Sequence, residues 1–85
     1  MTRLTLNDCT GQPLAIGDRV SIQVIPDSLL AGLPADDQRA IQRQLGEELI
    51  IEGFDNQGNA ELEFTDSSDT RHTIWIQTSA LKKLI

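Results

Sequence analysis

The residues of this chain that could do chemistry are few and stand apart in the sequence. It has one histidine, His72, and one cysteine, Cys9, whereas a metal site normally draws several His, Cys or carboxylate ligands together. His72 lies in phase with Ile74 and Ile76. We therefore interpret it as a residue at the rim of a core rather than as a ligand or general base. Cys9 is expected to be a small, partly buried and inert thiol.

The acidic residues have positions that local structure explains. Asp36 and Asp37 follow Pro34 and would fall in the first turn of a helix, where the helix dipole favours negative charge. Other aspartates stand in clusters typical of turns: Asp55, Asp66 and Asp69. The sequence contains no Ser-His-Asp set, P-loop or glycine-rich dinucleotide pattern. We therefore predict a protein that is not an enzyme and has no cofactor or metal of its own.

Size and charge narrow the class of partner. The 85 residues predict a single domain over 1–85. A net charge of −6 with scattered basic residues argues against nucleic acid, because binding to a phosphate backbone needs clustered Lys and Arg. No apolar run approaches the length of a membrane span. The start MTRLTLNDCTG lacks the apolar core of a signal peptide, and with one cysteine the expected location is a reducing cytoplasm.

The elements that must position these residues are strands. The chain from Glu47 to Gln77 reads as three strands in a row, EELIIEGFD, NAELEF and RHTIWIQ, separated by turn-forming clusters. For the first hairpin, a loop of two or four residues pairs Ile51 with Phe64 and Gly53 with Leu62 on the core side. It also sets Glu52 beside Glu63 and Phe54 beside Glu61 on the opposite side. A three- or five-residue loop would bury a glutamate, and we reject it.

For the second hairpin, a loop of odd length pairs Phe64 with His72 and Leu62 with Ile74. The same register sets Glu61 beside Trp75 and Glu63 beside Thr73 on the opposite side. One side of the three strands is then mixed apolar and acidic, and we name it the outer face. We predict an interaction surface there, formed by Trp75, Phe54, Ile50, Glu52, Glu61 and Glu63.

Exposure of Trp75 would be unfavourable, since burial of an aromatic side chain contributes on the order of 1.5–3 kcal/mol. The sequence leaves two alternatives for what covers Trp75. In one, a helix over about residues 34–45, ending at Gly46 and carrying Ile41 and Leu45 as a narrow apolar stripe, folds over the outer face. This helix would bring the stripe to Trp75 and Ile50 and place Arg39 or Arg43 near the glutamates. In the other, a partner protein or a second copy of the chain covers it.

The remaining elements indicate a small barrel. Thr2–Leu6 is predicted as an edge strand, and DRVSIQVI as a strand with Val20, Ile22 and Val24 on one face. DSLLAG is expected to form a tight helical turn. In the tail, TSAL has the length of one 3₁₀ turn and KKLI would be a last strand. We predict a mainly β fold, a five- to six-stranded barrel with a short helix inserted between the early strands.

From GDRVSIQV to KKLI the chain resembles the SH3-like barrel superfold, in which a 3₁₀ turn joins the fourth and fifth strands. Within it, the chain looks like the barrels of nitrile hydratase β-subunits, ferredoxin–thioredoxin reductase and a photosystem I subunit, which begin with a G-D-x-V strand and end in an x-L-x-x-[VI] strand. LNDCTGQPLAIGDRV also looks like the opening of the alkylphosphonate-utilisation (PhnA-type) barrel. The insertion PDSLLAGLPADDQRAIQRQLG occupies the position of the long first loop of peptide-binding members.

Two functions follow as hypotheses. The first is a small non-enzymatic module for protein–protein interaction, or an accessory subunit, with a protein partner or a second copy bound at the outer face. The resemblance to accessory barrels implies the alternative, which is a regulatory subunit that completes the site of a metal or redox enzyme.

Overall fold

The computed structural model describes residues 6–84 as a mainly β fold with a single five-stranded antiparallel sheet. Its strands are β1 Arg19–Ile22, β2 Glu48–Phe54, β3 Asn59–Thr65, β4 Arg71–Gln77 and β5 Leu81–Lys83, in the order β4-β3-β2-β1-β5. Two short helices, α1 Asp27–Leu30 and α2 Ala35–Gln42, lie between β1 and β2, and a 3₁₀ turn, Thr78–Ala80, joins β4 to β5. The predicted edge strand Thr2–Leu6 lies, except for Leu6, outside the described residues. None of the helices in residues 6–84 has the length and apolar character needed to cross a membrane.

The core lies on one side of the sheet, because apolar residues alternate along the long strands. In β3, Ala60, Leu62 and Phe64 are buried, while the residues between them are only half-buried. The other strands and α2 add further buried residues, namely Val20, Ile22, Ala40, Ile41, Leu49, Ile51, Ile74, Ile76 and Leu81. Leu29 and Leu30 of α1 pack against this cluster, as the helical turn predicted from DSLLAG requires.

The segment between β1 and β2 differs from the prediction in two places. β1 ends at Ile22 instead of continuing to Ile25, and Val24 is exposed. α2 ends at Gln42, so Leu45 lies beyond the helix and is exposed. Its backbone forms a parallel bridge with Ile22, and the predicted stripe of Ile41 and Leu45 does not exist. Ile41 instead faces the core.

The register predicted for the first hairpin is wrong, because the ladder between β2 and β3 is interrupted. Asp55 N–H donates to Asn59 O at 3.0 Å, which encloses a three-residue loop. The ladder pairs Ile51 with Leu62 and Gly53 with Glu61, leaving Glu52 as the extra residue of a β-bulge. The bulge restores parity, so Ile51 and Leu62 both reach the core with Glu52 still exposed.

The bulge also reverses the predicted orientation of Phe54. Phe54 pairs with Ala60, which is fully buried, and directly opposed residues share a face of the sheet. Phe54 therefore lies on the core side and packs against the core cluster. The second hairpin has the predicted register throughout, with Glu61 opposite Trp75 and Glu63 opposite Thr73.

Three turns of this fold share one hydrogen-bonding pattern, which begins at an aspartate. In each, a carboxylate oxygen accepts the backbone N–H groups two and four residues later: Asp8 from Thr10 and Gln12, Asp55 from Gln57 and Asn59, and Asp66 from Ser68 and Thr70. The fourth residue has positive φ in every case, at Gly11, Gly58 and Asp69. The shared pattern is D-x-x-[GD]-x, which supplies an acceptor at the start of the turn and a residue that tolerates the left-handed region near its end.

The Asp8 turn also attaches the beginning of the described chain to the end of the sheet. Asp8 Oδ2 accepts the Lys83 N–H at 2.7 Å, and Cys9 N–H donates to Leu81 O at 2.8 Å. Burial alone would raise the pKa of Asp8, but hydrogen bonds from Lys83, Thr10 and Gln12 outweigh it and lower the pKa to about 2. The outer edge of β5 is therefore covered.

Candidate interaction surface

Trp75 is the central residue of the outer face. It lies directly opposite Glu61, with 44% of its surface exposed. The ladder hydrogen bonds at both ends of this hairpin involve even-numbered residues, so Glu61 and Trp75 form a non-hydrogen-bonded pair, in which side chains approach most closely. The second row, Glu63 opposite Thr73, lies beside it on the same face.

The structure brings five of the six predicted surface residues to the outer face and turns one away. Ile50 is exposed at 48% and its pairing partner on β1 is Arg19. Glu52 is exposed at the bulge. Phe54, as described, lies on the core side. The one sequence signal of the bulge is Gly53, because a glycine inside a strand often marks a bulge. In the structure, a Cβ at this position would stand 3.1 Å from Glu61 Oε1.

The glutamates of the outer face form no ion pair within the described residues, although Arg71 of β4 and Arg19 of β1 lie on the same face. The ion pairs among residues 6–84 join Arg19 to Glu48, Arg39 to Asp36, Lys83 to Asp18 and His72 to Asp66. None involves Glu52, Glu61 or Glu63. The prediction that Arg39 or Arg43 approaches these glutamates is therefore wrong, because α2 lies on the other side of the sheet with Ile41 in the core.

A groove that the sequence did not reveal runs beside β4, and we name it the β4 groove. It has a volume of about 300 Å³. Apolar side chains from α1, α2 and the segment between them form one wall, and β4 forms the other. The lining residues are Leu29, Leu33, Asp37, Ile41, His72, Thr73, Ile74 and Trp75. Trp75 is therefore shared between the outer face and this groove.

The predicted chemical residues occupy structural positions. His72 stacks on Phe64 with ring centroids 5.0 Å apart, and its Nε2 lies 2.8 Å from Asp66 Oδ2. This hydrogen bond, with those from Thr70 and Ser68, lowers the pKa of Asp66. Cys9 is exposed and not partly buried as predicted, although its backbone N–H donates to Leu81 O of β5. Among residues 6–84, no group of three or more His, Cys, Asp or Glu side chains could hold a metal ion.

Comparison of the chain with protein-family models, with curated proteins and with solved structures finds no significant match.

Proposed function

We propose that this protein is a non-enzymatic module for protein–protein interaction, or an accessory subunit, and that it binds its partner through the outer face. The observation that carries this proposal is the exposure of Trp75, the single tryptophan of the chain, beside glutamates that form no ion pair within residues 6–84. Ile41 of α2 lies in the core and shares only the β4 groove with Trp75, and 44% of Trp75 stays exposed. This exposure supports the second cover, a partner protein or a second copy of the chain.

The energy available from covering Trp75 is sufficient to matter. With 44% of the residue exposed, roughly 100 Å² of an aromatic surface remains in contact with water. At roughly 25 cal/mol per Å², covering it contributes about 2.5 kcal/mol. The glutamates beside this patch favour a partner with basic residues, because charge complementarity increases association rate and specificity.

The finer features of the fold enter as part of the proposal. The 3₁₀ turn between β4 and β5 and the return of β5 to pair with β1 support an SH3-like barrel. The net charge of −6 supports a partner other than nucleic acid, and the single cysteine supports a cytoplasmic location. A regulatory subunit that completes the site of a metal or redox enzyme is the alternative, and co-purification with such an enzyme would favour it.

The test is quantitative co-purification with matched variants. Trp75→Ala removes the exposed aromatic, whereas Val24→Ala trims an apolar side chain that is also exposed but follows β1. A partner recovered by the native chain should be retained by Val24→Ala and bound about 30-fold more weakly by Trp75→Ala, the equivalent of about 2 kcal/mol. Purified components should reproduce the difference. Equal recovery by both variants would refute a role for the outer face.

A further inference from the structure

Within residues 6–84, no strand pairs with the outer edge of β4. Asp66 N–H donates to Thr70 O at 3.0 Å and Thr78 N–H donates to Gly58 O at 3.3 Å, so the even-numbered residues of β4 bond to β3. Backbone groups alternate in direction along a strand. The N–H and C=O groups of Thr73 and Trp75 therefore point away from β3. None of the backbone hydrogen bonds found among residues 6–84 outside the ladder uses them.

The two edges of the sheet are treated differently. The edge of β5 is covered by the Asp8 turn, through Cys9 N–H to Leu81 O and Lys83 N–H to Asp8 Oδ2. Within the described residues, no backbone hydrogen bond of this kind covers the edge of the seven-residue β4, although α1 packs near this strand. Native proteins usually protect long strand edges, because an unprotected edge can pair with another chain. The β4 groove lies directly along this edge.

We propose that the open edge of β4 accepts an extended segment of a partner protein as an additional strand, and that this segment alternates apolar and basic residues. The inference rests on the proposed function and names the chemistry of the partner. Side chains of an added strand alternate between the two sides of the sheet. Those on the core side would enter the β4 groove against Leu29, Leu33 and Ile41. Those on the outer side would lie beside Thr73 and Trp75, within reach of Glu61 and Glu63.

Charge selects this occupant over a second copy. Pairing of β4 with β4 of another copy would join two chains of net charge −6. A large net charge of the same sign keeps copies of a protein apart. A basic segment meets Glu61 and Glu63 with opposite charge.

The experiment uses an eight-residue capped peptide of alternating Lys and Val as the probe, with alternating Glu and Val as its control. Binding is followed by NMR through amide hydrogen exchange. The Lys-Val peptide should slow exchange of the Thr73 and Trp75 amides about tenfold or more, and the Glu-Val peptide should leave it unchanged.

A substitution on the protein side separates the strand edge from the face. Thr73→Pro removes the Thr73 N–H, which takes no part in the ladder, and proline is tolerated on edge strands at such positions. Thr73→Val changes the side chain but keeps the N–H. The peptide should bind Thr73→Val like the native chain, whereas its binding to Thr73→Pro should be at least about tenfold weaker. If Thr73→Pro does not fold, a Lys-Val peptide N-methylated along the edge that faces β4 should lose binding to the native chain.

Three results would overturn the inference. One is absence of binding by the Lys-Val peptide. Another is binding that perturbs the Trp75 side chain without protecting the Thr73 and Trp75 amides, which would leave the proposed function intact while excluding strand addition. The third is protection of these amides in the free protein, which would show that the edge is already occupied, with sedimentation identifying a second copy.

Discussion

Replacement of Asp8 by Asn is expected to destabilise the fold by about 2 kcal/mol at neutral pH. Folding lowers the pKa of this carboxyl from its ordinary 3.8 to about 2, and a difference of this size corresponds to about 2 kcal/mol. Asparagine keeps one oxygen for the Thr10 and Gln12 amides. Its NH₂ group, however, would face the Lys83 N–H that Asp8 Oδ2 accepts at 2.7 Å, and an unpaired buried donor is costly.

The pH dependence of this effect has a defined sign. Because folding lowers the pKa of Asp8, the unfolded chain takes up the proton first as the pH falls. The stabilisation by Asp8 is therefore complete above about pH 4 and is lost as the pH falls through about 2. Hydrogen bonds also lower the pKa values of Asp55 and Asp66, so these turns weaken in the same direction.

The assay is urea unfolding of the native chain and of Asp8→Asn between neutral pH and pH 2. The control is Asp27→Asn, which removes an exposed carboxylate at the start of α1. The difference between the native chain and Asp8→Asn should shrink as the pH approaches about 2. The reasoning fails if Asp8→Asn costs no more than Asp27→Asn, or if its cost is the same at both ends of the pH range.

The remaining predictions concern the core, a turn and the thiol. Ile41→Ala should cost about 2–4 kcal/mol in urea unfolding, since Ile41 is 3% exposed, whereas Leu45→Ala should cost less than about 0.5 kcal/mol; equal costs would contradict the placement of α2. Asp69→Gly should stabilise the fold by up to about 1 kcal/mol by relieving a φ of +62°, and destabilisation would contradict this. Cys9 is exposed and should titrate with a thiol reagent in the native protein; protection until unfolding would contradict this.

The fold could be predicted from the sequence wherever alternation and turn chemistry agree. Ala60, Leu62 and Phe64 alternate with glutamates, and the Asp66 turn fixes an odd loop, so the register of β3 with β4 follows. The 3₁₀ turn at Thr78–Ala80 follows from the short spacing between β4 and β5. These features depend on residues close together in the chain.

The errors have a different physical origin. The bulge at Glu52 shifts the register of β2 against β3 by one residue. Gly53 alone does not distinguish a bulged strand from a regular strand that contains a glycine, and the predicted face of Phe54 is therefore wrong. The position of α2 depends on long-range packing of Ile41 in the core, and a narrow apolar stripe does not say which side of the sheet it meets. The β4 groove depends on both, which explains why the sequence did not reveal it.

We propose that a partner protein covers Trp75. Because this residue is the single tryptophan of the chain, its cover can be measured directly. Fluorinated tryptophan gives the chain one fluorine NMR signal. In dilute buffer, this signal should shift between H₂O and D₂O, because Trp75 is 44% exposed. In lysate of the cells from which the sequence comes, it should move or broaden and lose its solvent shift, whereas serum albumin at equal mass should leave it unchanged. A signal that is the same in lysate and in albumin would contradict the account.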